Sequence, residues 1–203
     1  MSAQIYLIAP SDAEPATFVP QLADALAAAS VAALFVPRGN LAENAYKTLI
    51  KAVAPAAQAR DCAVLIEGEP GWVRTLGADG LHVLGSGKAL AVARAAAGTL
   101  KPNSIVGAGP ATSRHDAMEL GELDLDYVLF GPLNGPVSPE ARDMAAWWSE
   151  TMEVPAVLSD PEASPDTLDT VGCEFIAFGD SVWQAEAGPA AALAALARRL
   201  EDL

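Results

Sequence analysis

The sequence is short of basic residues and of aromatic side chains. It holds 12 Lys and Arg against 26 Asp and Glu, which gives a formal net charge of -14, and aromatic residues make up only 6% of the chain. Nucleic acids and anionic membrane surfaces attract proteins through a positive field, so this balance argues against both as partners. A small phosphorylated ligand that is held locally remains compatible with the charge.

Long apolar runs and cysteines are also scarce. No apolar run approaches the roughly 20 residues that span a bilayer, and the N-terminal residues carry no basic preface or small-residue cleavage site. Cys62 and Cys173 are far apart and each borders a predicted strand, which indicates buried thiols rather than a disulfide framework. We therefore expect a cytoplasmic protein with a single domain over residues 1–203.

Short apolar runs alternate with alanine-rich amphipathic stretches along the whole chain. The runs are continuous rather than alternating, which is typical of parallel strands covered on both faces, and the spacing of roughly 20 to 28 residues suits a strand with its crossover helix. Eight strands are predicted, at Gln4 to Ile8, Ala32 to Val36, Ala63 to Ile66, Gly80 to Val83, Ser104 to Gly107, Tyr127 to Gly131, Ala156 to Leu158 and Phe175 to Phe178.

Eight strand–helix units predict a closed TIM (β/α)8 barrel. An open doubly wound sheet is the alternative that the same alternation permits. The number of units favours the barrel, as does the lack of a G-x-G-x-x-G turn after the first strand. In a barrel the loop from Leu133 to Pro139, which contains Asn134, would lie over the C-terminal face, where barrel enzymes keep their chemistry.

Four segments resemble thiamine phosphate synthases and their TenI relatives, in the right order and at matching intervals. They are Leu76 to Val83, Ile105 to Gly107, Asp126 to Leu133 and Gly172 to Ala177. The resemblance implies a barrel that joins a hydroxymethylpyrimidine pyrophosphate to a thiazole phosphate with magnesium, or, in the TenI branch, isomerises the thiazole phosphate without metal. It also implies a homodimer.

The metal positions of that family have changed in this chain. The family aspartate after the third strand is replaced within Glu67-Gly68-Glu69, and the one after the fourth strand falls in Gly85-Ser86-Gly87-Lys88. Magnesium prefers carboxylate oxygens in near-octahedral geometry. Glu67 and Glu69 are therefore the substitutes to consider for metal binding or catalysis, and magnesium stays a cofactor by resemblance only. The Gly85 to Lys88 segment predicts a helix cap or an anion contact.

The positions that handle phosphate in the family have changed as well. The histidine after the fifth strand is absent near Gly109, and the next one, His115, is expected in the first turn of the following helix. The lysine of the sixth loop falls on Pro139. The Gly-Gly turn after the seventh strand becomes Ser159-Asp160-Pro161, where the carboxylate would repel a phosphate and the proline removes an amide donor.

Other candidates for a ligand site remain around the predicted C-terminal face. Gly179, Asp180 and Ser181 follow the eighth strand, where backbone amides would form an anion nest and Asp180 would oppose it. The chain near the second strand offers Arg38 for an anion and Phe35 as an apolar wall.

His82 in the fourth strand matches a family histidine, and it is the remaining candidate for acid–base catalysis. On the helix after the sixth strand, Trp147 and Trp148 are adjacent. Two adjacent indoles cannot both face the barrel, so one is expected to be exposed or at a subunit contact.

Three functions follow from these substitutions. The chain is an active thiamine phosphate synthase, a diverged barrel that acts on a small heterocyclic or phosphorylated ligand, or a binding or regulatory barrel without turnover. The loss of the metal and lysine positions favours a diverged protein, because neutralising pyrophosphate is most of the synthase chemistry.

Overall fold

The computed structural model describes residues 3–85 and 87–203, and eight parallel strands close into a barrel in sequence order. The TIM-barrel prediction is confirmed, and the observed strand ends lie within two residues of the predicted ones. The strands are β1 (Gln4–Ile8), β2 (Ala33–Val36), β3 (Ala63–Ile66), β4 (Gly80–Leu84), β5 (Ile105–Gly109), β6 (Tyr127–Phe130), β7 (Ala156–Ser159) and β8 (Phe175–Phe178).

Helices cover the outside of the barrel. They are α1 (Pro15–Ala28), α2 (Glu43–Gln58), α3 (Pro70–Leu76), α4 (Leu90–Leu100), α5 (Arg114–Gly121), α6 (Pro139–Thr151), α7 (Asp180–Trp183) and α8 (Pro189–Glu201). A short 3-10 turn (Gly87–Ala89) precedes α4.

The connection between β7 and β8 departs from the repeated strand–helix pattern, because residues 160–174 form turns instead of a helix. Pro161 and Pro165 disfavour a continuous helix there. Ser164 and Thr167 bond to each other and to nearby backbone groups, and the buried side chains of Ala163 and Leu168 cover the barrel in place of a helix.

Two apolar layers result from the alternation of side chains along each strand. One set of strand residues packs against the helices, and the other fills the barrel interior with Tyr6, Ile8, Phe35, Leu129 and their neighbours. Both faces of every strand are therefore covered, which explains why the strands read as continuous apolar runs.

Local signals define several helix ends. Gly77 adopts φ +72° after α3 and closes that helix with a left-handed residue. Ser138 accepts a hydrogen bond from the Ala141 amide at the start of α6, as is usual for an N-terminal serine cap.

The paired tryptophans of α6 divide as expected. Trp148 is fully buried and donates from its indole nitrogen to the Val154 carbonyl at 2.7 Å. Trp147 is partly exposed, and the Arg114 guanidinium lies 4.6 Å from its ring centre. Within residues 3–85 and 87–203, no helix has the length and hydrophobicity needed to cross a membrane.

Candidate functional site

A cavity of about 620 Å³ lies at the C-terminal end of the barrel, and we call it the mouth. It is bounded by residues that follow β1, β2, β3, β6 and β8, so most of its wall comes from strand–helix loops. Apolar side chains come from Ile8, Leu84 and Leu133, and polar ones come from Ser11, Asp12, Asn40, Glu67, Asn134, Asp180 and Gln184. This is the face on which barrel proteins place their ligands.

Three carboxylates line the mouth, and none of them pairs with a cationic side chain that the structure describes. Asp12, Glu67 and Asp180 belong to the wall, and no lysine or arginine is among its described residues. None of the three forms an ion pair within the described part of the chain. The described wall of the mouth therefore carries a net negative charge, and a wall of this charge favours a neutral or cationic ligand over a multiply charged anion.

Glu67 is fixed in place by the ends of two neighbouring strands. Its Oε2 atom accepts a hydrogen bond of 2.8 Å from the Arg38 amide, and its own amide donates to the Tyr46 hydroxyl at 2.8 Å. Tyr46 is fully buried and donates in turn to the Val36 carbonyl at 2.6 Å. One carboxylate oxygen of Glu67 thus has a backbone partner, and the side chain is held at the edge of the mouth.

Two of the predicted charged residues lie outside the mouth. The Arg38 guanidinium donates from Nε to the Leu41 carbonyl at 3.1 Å, and Arg38 is not part of the cavity wall. Glu69 is exposed at the start of α3 and does not border the cavity either. The structure therefore does not bring Glu67 and Glu69 together. The Arg38 side chain bonds within the loop that follows β2 and does not reach the mouth.

The Asp160 carboxylate has a partner that the sequence did not reveal. It pairs with the Arg142 guanidinium from α6, and Asp160 is only 4% exposed. Burial raises the pKa of Asp160, while Arg142 acts in the opposite direction. Because its charge is paired, Asp160 contributes less to the potential of the mouth than the three unpaired carboxylates do.

The Ser159 hydroxyl and two amides of the turn after β8 are occupied by internal hydrogen bonds. The buried Ser159 hydroxyl donates to the Pro132 carbonyl. The Gly179 and Ser181 amides both donate to the Pro161 carbonyl, at 3.4 and 2.8 Å. These two amides are therefore not available to form the predicted anion nest, although Gly179 and Asp180 line the mouth.

His82 lies inside the barrel in a chain of three buried polar side chains. Its Nδ1 atom is 2.7 Å from the Tyr127 hydroxyl, which is 3.0 Å from the Tyr6 hydroxyl. Nε2 has no hydrogen-bond partner in the described part of the structure. Burial lowers the pKa of His82 from 6.5 to about 4, with the Gly109 backbone acting in the opposite direction. The imidazole is therefore neutral at pH 7.

Phe35 and Gly109 are part of the barrel interior rather than of the mouth. The Phe35 ring is fully buried, and its centre lies 4.6 Å from that of His82. A side chain at Gly109 would approach the Leu129 carbonyl to 2.5 Å, so this position has no room for one. Of the other candidates, Asn134 is exposed and borders the mouth, and His115 is exposed in the first turn of α5.

The carboxylates of the mouth do not make a metal centre. Within residues 3–85 and 87–203, no group of three or more His, Cys, Asp or Glu side chains is arranged to hold a metal ion. Magnesium usually binds one or two carboxylates together with substrate phosphates, so the described side chains alone do not supply a complete magnesium site. The glycine-rich segment from Gly85 to Lys88 includes Ser86, which lies outside the described residues, so its predicted cap or anion contact is not assessed by the structure.

Several residues of the site were not identified from the sequence. Asp12, Asn40 and Gln184 line the mouth, and each lies in or just beyond a segment that follows a predicted strand. Their position after a predicted strand is the feature of the sequence that could have identified them as site residues. Tyr6 and Tyr127 had no such signal, because their hydrogen bond joins residues that are 121 positions apart.

Comparisons with known proteins give one consistent family. A family model described as thiamine monophosphate synthase matches residues 5–160. The thiamine-phosphate synthase of Rhodospirillum centenum is 35% identical over 199 residues, with 94% of each chain covered. That of Hyphomonas neptunium is 33% identical, covering 98% of this chain and 95% of the relative.

Solved structures show the same fold. A thiamine phosphate pyrophosphorylase from Pyrococcus furiosus superposes with a TM-score of 0.78 at 20% identity, covering 98% of this chain and 96% of that one. A structure described as KGPDC from Streptococcus mutans superposes with a TM-score of 0.73 at 13% identity, covering 100% and 99%. Barrels described under different names thus share this architecture, so the fold alone does not define a reaction.

Proposed function

Because the chain belongs to the thiamine monophosphate synthase family, we propose that it is a diverged member related to thiamine biosynthesis. It binds a small heterocyclic ligand in the mouth of the barrel. It does not efficiently couple a pyrimidine pyrophosphate with a thiazole phosphate.

The unpaired negative charge of the mouth is the observation that carries this proposal. A pyrophosphate brings several negative charges, and its transfer requires cations or hydrogen-bond donors that neutralise them. The mouth instead presents Asp12, Glu67 and Asp180, with no described lysine or arginine in its wall. Each carboxylate makes pyrophosphate binding less favourable, and no group of three or more ligands among the described residues is arranged to hold a compensating metal ion.

The composition of the wall also defines the class of ligand. Ile8, Leu84 and Leu133 give apolar surface for a ring, and Asn40 and Asn134 offer hydrogen bonds. A neutral or cationic heterocycle fits both the apolar surface and the hydrogen-bonding groups, and a positive charge on the ring is attracted by the carboxylates. Thiamine, whose thiazolium ring is cationic, fits this class better than the phosphorylated thiazole.

Two alternative functions make different predictions. In the first, the chain is a binding or regulatory barrel without turnover, which the fully buried His82 favours, because this imidazole does not reach the mouth. In the second, the chain is an active thiamine phosphate synthase, which the names of its curated relatives favour.

A turnover assay separates the alternatives. Purified protein is incubated with both phosphorylated substrates and magnesium, and thiamine phosphate is measured against an active synthase assayed in parallel. We expect at most trace product. Robust turnover by this chain would refute the proposal and establish the second alternative.

A thermal-shift screen tests the ligand class. A ligand that binds only the folded state raises the melting temperature, and we expect thiamine to do so more than thiazole phosphate. Asp180→Asn should reduce the thiamine shift, whereas Asp202→Asn, at the exposed end of α8, should leave it unchanged. A larger shift with thiazole phosphate would contradict the proposed charge preference.

We also propose a cytoplasmic homodimer, following the family resemblance. Light scattering after size-exclusion chromatography should give twice the mass of the 20.9 kDa chain. A monomer at micromolar concentration would contradict this part of the proposal.

A further inference from the structure

A second cavity lies at the opposite, N-terminal end of the barrel, and we call it the lower cup. Its volume is about 210 Å³. The side chains of Tyr6, Leu65 and Tyr127 are almost completely buried and form its deepest part. Ile105 and Phe175 are partly exposed at its edge. The lower cup is therefore a recess that opens to solvent on one side and ends on two tyrosines.

The recess exists because two alanines lie side by side where barrels usually place larger residues. Ala33 of β2 is directly paired with Ala63 of β3, and both belong to the wall. Barrel interiors are normally filled by layers of bulky branched side chains. Two adjacent methyl groups leave the lower end of this barrel unfilled.

The tyrosine hydroxyls and the carboxylate around the lower cup already have partners. The Tyr6 and Tyr127 hydroxyls bond to each other, and Tyr127 also bonds to His82. One oxygen of Asp126 accepts from the Lys101 ammonium at 2.6 Å, and the other accepts from the Val106 amide at 2.7 Å. No charge in the wall is left for an ionic ligand, and most of the remaining surface is apolar.

From this geometry we propose that the lower cup is a binding site for a neutral, single-ring aromatic molecule. Its volume is adequate, because an apolar cavity of about 150 Å³ accommodates benzene. The rings of Tyr6 and Tyr127 already meet edge to face, with centres 5.7 Å apart. A third ring packs against them with the same favourable geometry. The site is distinct from the mouth and does not depend on the function proposed there.

Toluene is a suitable probe, and saturation-transfer NMR of the wild-type protein measures its binding. A molecule of this size binds with a Kd of roughly 1 mM. Ala63→Leu, which fills the recess from its edge, should weaken binding at least tenfold. The same substitution at Ala91, exposed on the outer face of α4, should leave binding unchanged.

A second measurement uses the wild-type protein alone, so it does not depend on the folding of the variant. On titration with toluene, the ring resonances of Tyr6, Tyr127 and Phe175 should shift, whereas those of Trp72 should not. Absence of saturation transfer in the wild type would overturn the proposal. Equal binding by Ala63→Leu, or shifts confined to residues of the mouth, would overturn it as well.

Discussion

The two ends of the barrel have opposite chemistry. The mouth is wide and negatively charged, and it is built from loops, with Asp12, Glu67 and Asp180 in its wall. The lower cup is small and mostly apolar, and it is built mainly from strand residues such as Ala33 and Ala63. The strands between the two ends are buried on both faces.

This contrast shows which parts of the fold tolerate change. Strand residues are constrained by packing on both sides, so their apolar character persists when a function diverges. Loop residues at the mouth are constrained mainly by the ligand. The family therefore remains recognisable in the strands, while the divergence that we propose lies in the loops.

The largest effect is expected where the barrel interior is tightest. A Cβ atom at Gly107 would lie 2.0 Å from the Tyr127 ring, so Gly107→Ala must displace that ring and its hydrogen bonds. We expect a loss of about 4 kcal/mol in the free energy of unfolding, measured by urea denaturation. Gly71→Ala is the control, because nothing lies within 4 Å of the added methyl. Equal effects of the two variants would contradict the close packing.

Loss of the partner of the buried Asp160 carboxylate should lower stability more than loss of an exposed ion pair does. Arg142→Ala leaves the buried Asp160 without its partner and should cost about 3 kcal/mol in stability. Glu43→Gln, which breaks the exposed pair with Lys47, should cost less than about 0.5 kcal/mol. Both are measured by chemical denaturation at pH 7. A small effect at Arg142 would show that Asp160 does not need compensation.

The neutral His82 predicts a specific dependence of stability on pH. Its pKa is about 4 in the folded chain against 6.5 ordinarily, because of burial. Between these values the unfolded chain binds the proton and the folded chain does not. Stability is therefore full above pH 6.5 and falls as the pH drops towards 4, by about 2 kcal/mol at pH 5. The His82→Asn variant should lose this component, and identical pH profiles of variant and wild type would contradict it.

The smallest effect is expected at the mouth. Asp180→Asn removes one negative charge from a solvent-accessible wall and should strengthen binding of inorganic pyrophosphate only two- to fivefold at low salt, because water and ions screen the interaction. Competition calorimetry at two salt concentrations measures this change. Weaker binding in the variant would mean that Asp180 assists the anion.

Much of the barrel was predictable because its signals are local. The run from Gly80 is apolar on both faces, and Gly77 before it ends a helix with a left-handed residue. The turns from Asp160 to Glu174 were not anticipated, since an overall count of strand–helix units does not show that one helix is replaced by a proline-containing loop.

The site was predicted less well, because loop conformation depends on contacts between distant residues. Glu67 and Asp180 follow strands and line the mouth as their positions indicated. Arg38 follows a strand too, but its side chain bonds to the Leu41 carbonyl. The partner of Asp160 is 18 residues away on α6, and no local pattern encodes that pairing.

The central claim is that the mouth binds pyrophosphate only weakly, and calorimetric titration of the wild-type protein with inorganic pyrophosphate and magnesium tests it most directly. We expect no saturable binding tighter than a Kd of roughly 1 mM, equivalent to about -4 kcal/mol. Saturable binding with a Kd of about 10 μM or below would contradict it.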